Sequence, residues 1–273
     1  MRILYWDTFA GISGDMALGS LIALGADPEL IVEQLHSIGL TEFVLDVQSR
    51  QVHGIQATDI DVVIPMINHE HDGHHEGHEH DGHHTRDEPH AHHDHFEVQK
   101  KEPKDHHRRL PDITKMILSG TLSERSIKRA LAVFNVLAEA EAHVHGTTVD
   151  QVHFHEVGAV DSLVDIVGTC IALDQLDIDL IRVSTLPWSH GFVNCAHGIL
   201  PLPAPATLML LRGFKFQESG ITGELITPTG AALMRALAEQ ATFPEMTLLS
   251  VGYGAGKNDY GIPSLLRGVL GEI

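Results

Sequence analysis

The sequence predicts an α/β fold: a mixed sheet with flanking helices, interrupted by a disordered His-rich insertion. Three observations carry that expectation. Short β-prone runs alternate with helical patterns toward both ends of the chain. Glycine and proline fall at the boundaries between them. A central stretch with almost no apolar residue separates the two ends.

The elements follow in order. RILYWD, residues 2–7, is bulky and β-prone and reads as a strand. The turn TFAGISGD comes next, then MALGSLIALG (16–25), which has helical character and a fitting C-cap in Gly25. Asp27-Pro28 opens a second helix through Ile38, with Pro28 at the first helical position and Gly39 as the stop. Residues 43–49 and 55–64 read as strands, the second ending at Pro65. Residues 68–109 cannot bury enough surface to offset their ordering entropy, so they are expected to be a disordered linker. Leu110 to Leu118 reads as a short helix. Thr121-Leu-Ser-Glu124 matches a capping box, and Ile127, Ala130, Leu131, Phe134, Leu137 and Ala138 then line one helix face as far as Gly146. A further helix spans 159–175, with a strand near 180–186. Pro201, Pro203 and Pro205 punctuate a turn before the short helix TLMLLRG. Thr229-Gly230 opens the helix AALMRALAEQ, and MTLLSVGYG is a strand running into glycines. The expected organisation is an α/β segment over 1–67, the linker over 68–109, and a second α/β segment over 110–273 that forms one discontinuous domain with the first.

Composition narrows the function. The chain has 273 residues, 43% of them hydrophobic, enough for one large domain or two ordinary ones. It carries 18 basic against 37 acidic residues, a net charge of −19 with neutral histidine. Such a chain does not suit nucleic acid or anionic membranes; it suits cations. No apolar run approaches the roughly 18 residues that span a bilayer. The N-terminus lacks the apolar core and cleavage site of a secretory signal, so a cytoplasmic chain is expected. Two cysteines, Cys170 and Cys195, exclude a disulfide scaffold, and no CxxC pattern suggests structural zinc.

Histidine is the outlier, with 22 residues. Twelve of them crowd one tract: His69, His71, His74, His75, His78, His80, His83, His84, His90, His92, His93 and His95. Neutral imidazoles interleaved with Asp and Glu bind nickel, zinc, copper or cobalt, and the plainest use of the tract is as a metal store. A second cluster is His153-Phe154-His155-Glu156 followed by Asp161 and Asp165. In an extended segment the two histidines share a face while Phe154 points to the core, and the two aspartates share a helix face. That mixture suits a divalent ion; the alternative is that Asp161 caps a helix and the histidines bond locally. His143 and His145 end the preceding helix and either join this site or answer the helix dipole.

The strand-to-helix turn from Asp7 to Asp15 places Gly11, Ser13 and Gly14 where backbone amides can approach an anion. Asp7 ends a strand where α/β proteins often place ligand groups. A tight turn with a capping Asp would serve equally. Gly252, Gly254 and Gly256 followed by Lys257 are a further phosphate candidate or else a mobile turn, and the helix start Thr227-Pro-Thr229-Gly230 is either an anion site or a plain N-cap. Cys195, between His190 and His197, is either a soft metal ligand or a buried small hydrophobe. Asp7, Asp15 and Glu156 are the candidate catalytic carboxylates.

Five blocks, WDTFAGISGDM, VHFHEVGAVDSLVDIVG, HGILPLPAPAT, ELITPTGAA and VGYGAGKND, occur in that order. Together they resemble the LarC family of nickel insertion proteins from nickel-pincer cofactor biosynthesis, over essentially the whole chain outside the His-rich tract. The resemblance implies insertion of Ni2+ into pyridinium-3,5-bisthiocarboxylic acid mononucleotide by a CTP-dependent cyclometallation with Mn2+ or Mg2+ as helper. It implies a metal-inserting lyase whose product serves lactate racemase. Members of this family continue beyond a segment like GIPSLLRGVLGE into a C-terminal domain linked to CTP binding and oligomerisation. The chain is therefore expected to be an N-terminal, nickel-binding part that works with such a domain, in an oligomer. A nickel or zinc store or metallochaperone without catalysis is the competing reading, and a metal-dependent hydrolase using the HFHE cluster a third.

Overall fold

The computed structural model describes residues 1–65, 108–154, 158–195 and 197–273. The expectations placed on the His-rich tract, and on His155 and Glu156, fall outside these residues.

The first segment forms β1 (Arg2–Asp7), α1 (Gly14–Ala23), α2 (Pro28–Ser37), β2 (Val44–Val52) and β3 (Ile55–Val63). The next holds β4 (Arg108–Arg109), α3 (Leu110–Ser119), α4 (Glu124–His145), a single 3-10 turn (Val149–Gln151) and β5 (His153–Phe154). Then come α5 (Val160–Gln175), β6 (Leu180–Val183), β7 (Leu186–His190), β8 (Phe192–Cys195), β9 (Gly198–Pro201), α6 (Pro205–Leu210) and β10 (Phe216–Thr222). The chain ends with α7 (Pro228–Leu237), β11 (Glu239–Gln240), β12 (Thr247–Ala255) and β13 (Leu265–Glu272).

Seven strands make one sheet in the order β11-β6-β1-β13-β12-β3-β2. It is mixed: β1 runs parallel to β6 and antiparallel to β13, and β12 pairs in parallel with β3. Strands from both sides of residues 66–107 therefore share it. β1 is central, and Ile3, Leu4, Tyr5 and Trp6 are all buried, as a strand covered on both faces requires. Strand alternation sorts the faces. Trp6, Gly252, Gly254 and Gly268 face α1; a Cβ at Gly254 would lie 1.9 Å from the Met16 carbonyl oxygen, so glycine there lets the helix seat directly on β12. Tyr5, Tyr253, Arg267 and Val269 belong to the opposite face.

α5 is buried from Leu163 to Leu173 apart from Asp165, and packs against α1, α2 and α4. Such all-round burial is the mark of a core helix. α4 buries Ala130, Phe134, Leu137 and Ala138, the stripe expected from their spacing, and stops where Gly146 adopts a left-handed φ of 62°. Its cap differs from expectation. Ser123, not Thr121, accepts from the Ser126 amide, so the helix starts at Glu124. α1 starts two residues earlier than its apolar pattern suggests, taking in Gly14 and Asp15. The strand expected over 180–186 is two strands. The chain leaves the sheet at Ser184, which accepts from the Thr8 amide, and β7 then pairs with β10 instead. Among the described residues no helix is long and apolar enough to cross a membrane.

Candidate functional site

Two turns that lie far apart in sequence meet backbone to backbone. The Ile12 amide donates to the Leu225 carbonyl at 2.9 Å, and the Thr227 amide donates to the Ile12 carbonyl at 3.2 Å. Glycine makes this possible. Gly11 has φ of 97°, and a Cβ there would stand 1.8 Å from the Leu225 oxygen. A Cβ at Gly230 would stand 2.3 Å from the Ile12 oxygen. α1 and α7 consequently begin side by side. A third segment, closed by the Gly256 amide on the Ser264 carbonyl at 2.8 Å, completes a cavity of about 150 Å³. Ser13, Asp15, Glu224, Thr227, Lys257 and Tyr260 are among its walls.

The carboxyl groups here are unusual. Asp15 accepts from the Met16 amide at 2.8 Å and from the Ser13 hydroxyl, yet burial lifts its pKa above the ordinary range. Asp165 of α5 lies directly behind it. A Cβ at Gly14 would touch Asp165 Oδ2 at 2.7 Å, and the Asp15 amide donates to the Asp165 carboxylate. Burial, and then the neighbouring charges of Asp15 and Asp161, push the Asp165 pKa well up. Its Oδ1 is buried with no hydrogen-bond partner among the described residues. Two such carboxyls share protons readily or take up a cation. The first residues of two helices bring the opposite preference to the same cavity, since helix starts favour anions.

The sequence candidates divide around this centre. Gly11, Ser13, Gly14, Asp15, Thr229 and Lys257 lie at or beside the cavity, with Asp165 behind it. Thr229 Oγ1 sits 2.8 Å from Thr227 Oγ1 at the start of α7. The Lys257 ammonium is held by Asp59 at 2.6 Å and Asp61 at 2.9 Å. Burial opposes its charge, but those two hydrogen bonds outweigh it and keep its pKa high. Asp161 is exposed on the first turn of α5, one turn from Asp165, and accepts from the Ser162 amide at 2.7 Å. Asp7 goes elsewhere: it pairs with Arg267 across β1 and β13 on the opposite sheet face. Gly254 serves the seating of α1. His153 pairs through its backbone with Arg109, and Phe154 is 1% exposed, packing on Phe134. Thr227, in the helix start read as an anion candidate or an N-cap, accepts from the Gly230 amide at 3.2 Å and caps α7. Glu224, Tyr260 and the lysine partners Asp59 and Asp61 went unread, and the only sequence signal for Glu224 was its place in the ELITPTGAA block.

A second cavity, of about 420 Å³, lies between the end of α4, the β8–β9 hairpin and Glu224, which lines both cavities. Glu141 and His145 reach it from α4, and Cys195 and His197 from the hairpin. His145 Nε2 is 3.3 Å from Glu141 Oε2, and the His145 and His197 rings are 4.7 Å apart. His190 is engaged by Glu218 at 2.9 Å. Among the described residues no three His, Cys, Asp or Glu groups are already grouped as a metal-holding set.

The sequence profile of the family described as "Nickel insertion protein" matches residues 4–273. A Staphylococcus epidermidis protein named pyridinium-3,5-bisthiocarboxylic acid mononucleotide nickel insertion protein is 39% identical over 97% of this chain and 58% of its own length. Proteins of the same name from Geobacillus kaustophilus and Acetivibrio thermocellus are 40% and 39% identical over 100% of this chain, and 60% and 61% of their own lengths. The chain thus spans about three-fifths of the length of the curated relatives it matches. No solved structure matches it. With the profile covering nearly every residue, the chain belongs to the nickel insertion protein family.

Proposed function

We propose that this chain handles nickel for insertion into pyridinium-3,5-bisthiocarboxylic acid mononucleotide and supplies much of the site that holds that substrate. The convergence of three distant turns on one cavity is the observation that supports the reading most directly. The substrate phosphate would lie against the starts of α1 and α7, near Ser13, Gly14 and Thr229, with Lys257 adding charge from its place between Asp59 and Asp61. In a cyclometallation a ring carbon–hydrogen bond breaks, a carbon–nickel bond forms and a proton leaves. Asp15 and Asp165, whose pKa values burial raises above the ordinary carboxylate range, hold a proton more tightly than an exposed carboxylate and are the candidate acceptors.

The wider assignment rests on the family. It makes the chain a cytoplasmic, lyase-type metal inserter that uses CTP with Mn2+ or Mg2+ through a C-terminal domain, works as an oligomer and passes its product to lactate racemase. The test adds the mononucleotide, Ni2+ and CTP with Mg2+ to the full chain, with the C-terminal part of a relative supplied in trans, and follows the nickel-bound product by mass. Product is expected, and its rate should fall by about 100-fold or more in Asp165→Asn or Asp15→Asn, the scale of a lost general base. Undiminished rates in both variants would remove the proton-acceptor assignment. Nickel uptake without mononucleotide binding would favour the storage reading, to which the His-rich composition lends support.

A further inference from the structure

We propose that the cavity between α4 and the β8–β9 hairpin is a separate binding site for one borderline transition-metal cation, held by the imidazoles of His145 and His197 and the thiolate of Cys195. Three observations support it. The two rings lie 4.7 Å apart on one cavity wall, from elements some fifty residues apart in sequence. Cys195 is two residues from His197 on the same hairpin and lines the same space, which offers a sulfur donor beside the two imidazoles. Among the described residues of the walls, Glu141 and Glu224 are the acidic ones and most of the rest are apolar, which favours a positive guest.

The donor set selects the class of ion. Two imidazoles and a thiolate suit nickel, cobalt, zinc or copper and do not suit magnesium or calcium. Glu141, 3.3 Å from His145 Nε2, is placed to accept that N–H and so to orient the ring. Binding displaces the Cys195 thiol proton, and the thiol gives up its 3.4 Å contact with the Gly198 carbonyl. The volume of about 420 Å³ far exceeds what one ion needs, which leaves room beside the ion for a second guest. Through Glu224 the site adjoins the cavity assigned above to the mononucleotide. Its purpose as a nickel waiting position rests on that reading; its metal affinity does not.

The experiment titrates the full chain with Co2+ and follows the thiolate-to-cobalt charge-transfer band in the near ultraviolet. The His-rich tract contains no cysteine, and Cys170 is 0% exposed in α5, so the band reports Cys195. A band that saturates at one thiolate-bound cobalt per chain is expected, and Ni2+ should displace it. It should vanish in Cys195→Ser, survive in Cys170→Ala, and need about tenfold more cobalt in His145→Ala, His197→Ala and Glu141→Gln. Circular dichroism melts of each variant separate loss of the site from loss of the fold. No band in the parent chain, or a band indifferent to both histidine substitutions in folded protein, overturns the proposal. A band behaving as expected with no nickel-bound product leaves the metal site standing and removes only the insertion reading.

Discussion

The two cavities on either side of Glu224 are built by different means. The smaller is walled by backbone: two turns pressed together through Gly11 and Gly230, two helix starts, and carboxyl oxygens locked behind them. The larger is walled by side chains, with nitrogen and sulfur donors carried on a helix end and a two-stranded hairpin. Backbone walls offer amides and hard oxygen atoms in fixed positions, which suits phosphate and protons. Side-chain walls offer soft donors that can turn toward an ion. The glycines of the first site cannot gain a side chain without pushing its turns apart, whereas the second can lose a donor and keep its shape.

That contrast is broken or sharpened first at Gly11. Gly11→Ala adds a methyl 1.8 Å from the Leu225 oxygen on a backbone with φ of 97°. Overpacking and left-handed strain together should cost about 3–5 kcal/mol. Gly146→Ala makes the control, because φ is 62° but nothing lies within 4 Å of the new methyl. It should cost about 1–2 kcal/mol. Urea midpoints at constant slope measure both. Equal losses would mean that the turns can part cheaply, and that backbone does not set the smaller cavity.

Asp165 tests the locked carboxyls. Its folded pKa lies well above its unfolded value, chiefly through burial. Between those two values the folded chain binds more protons than the unfolded chain, so stability falls as pH rises through the window. Asp165→Asn removes that penalty. The variant should be more stable than the parent by about 1–3 kcal/mol at pH 8, the usual cost of an unmet buried polar group. The gain should shrink toward zero below about pH 3, where the parent carboxyl is protonated in both states. Melting curves across that range decide it. A variant less stable than the parent at pH 8 would show that the Asp165 charge is already compensated.

What the sequence revealed follows the same division. β1, α2, α4 and α5 were legible because their signals are local: a β-prone run, a Pro at the first helical turn, an apolar stripe, a stop glycine. Residues of the smaller cavity were legible as turns, but the uses of their glycines were not. A glycine that admits a ligand and one that admits a neighbouring carbonyl look alike in sequence, and Gly254 proves to be the second kind. The pairing of β1 with β13, joining the two ends of the chain, leaves no local mark. His145 and His197 were visible singly, but their meeting depends on where α4 ends and how the hairpin folds back.

The smallest expected effect concerns Asp7, which local reasoning grouped with Asp15. The two lie on opposite faces of the sheet, because strand alternation sends Asp7 to Arg267 while Asp15 belongs to the helix beyond the turn. Arg267 is 44% exposed, so the pair is screened by solvent and Asp7→Asn should cost no more than about 1 kcal/mol. Mononucleotide binding, measured by equilibrium dialysis, should be unchanged by Asp7→Asn and weakened by Ser13→Ala. The reverse pattern would move the substrate to the Arg267 face, where an exposed guanidinium beside Phe9 is the natural partner for a phosphate. The backbone-walled cavity would then be a structural joint between α1 and α7, and its glycines would answer to packing alone.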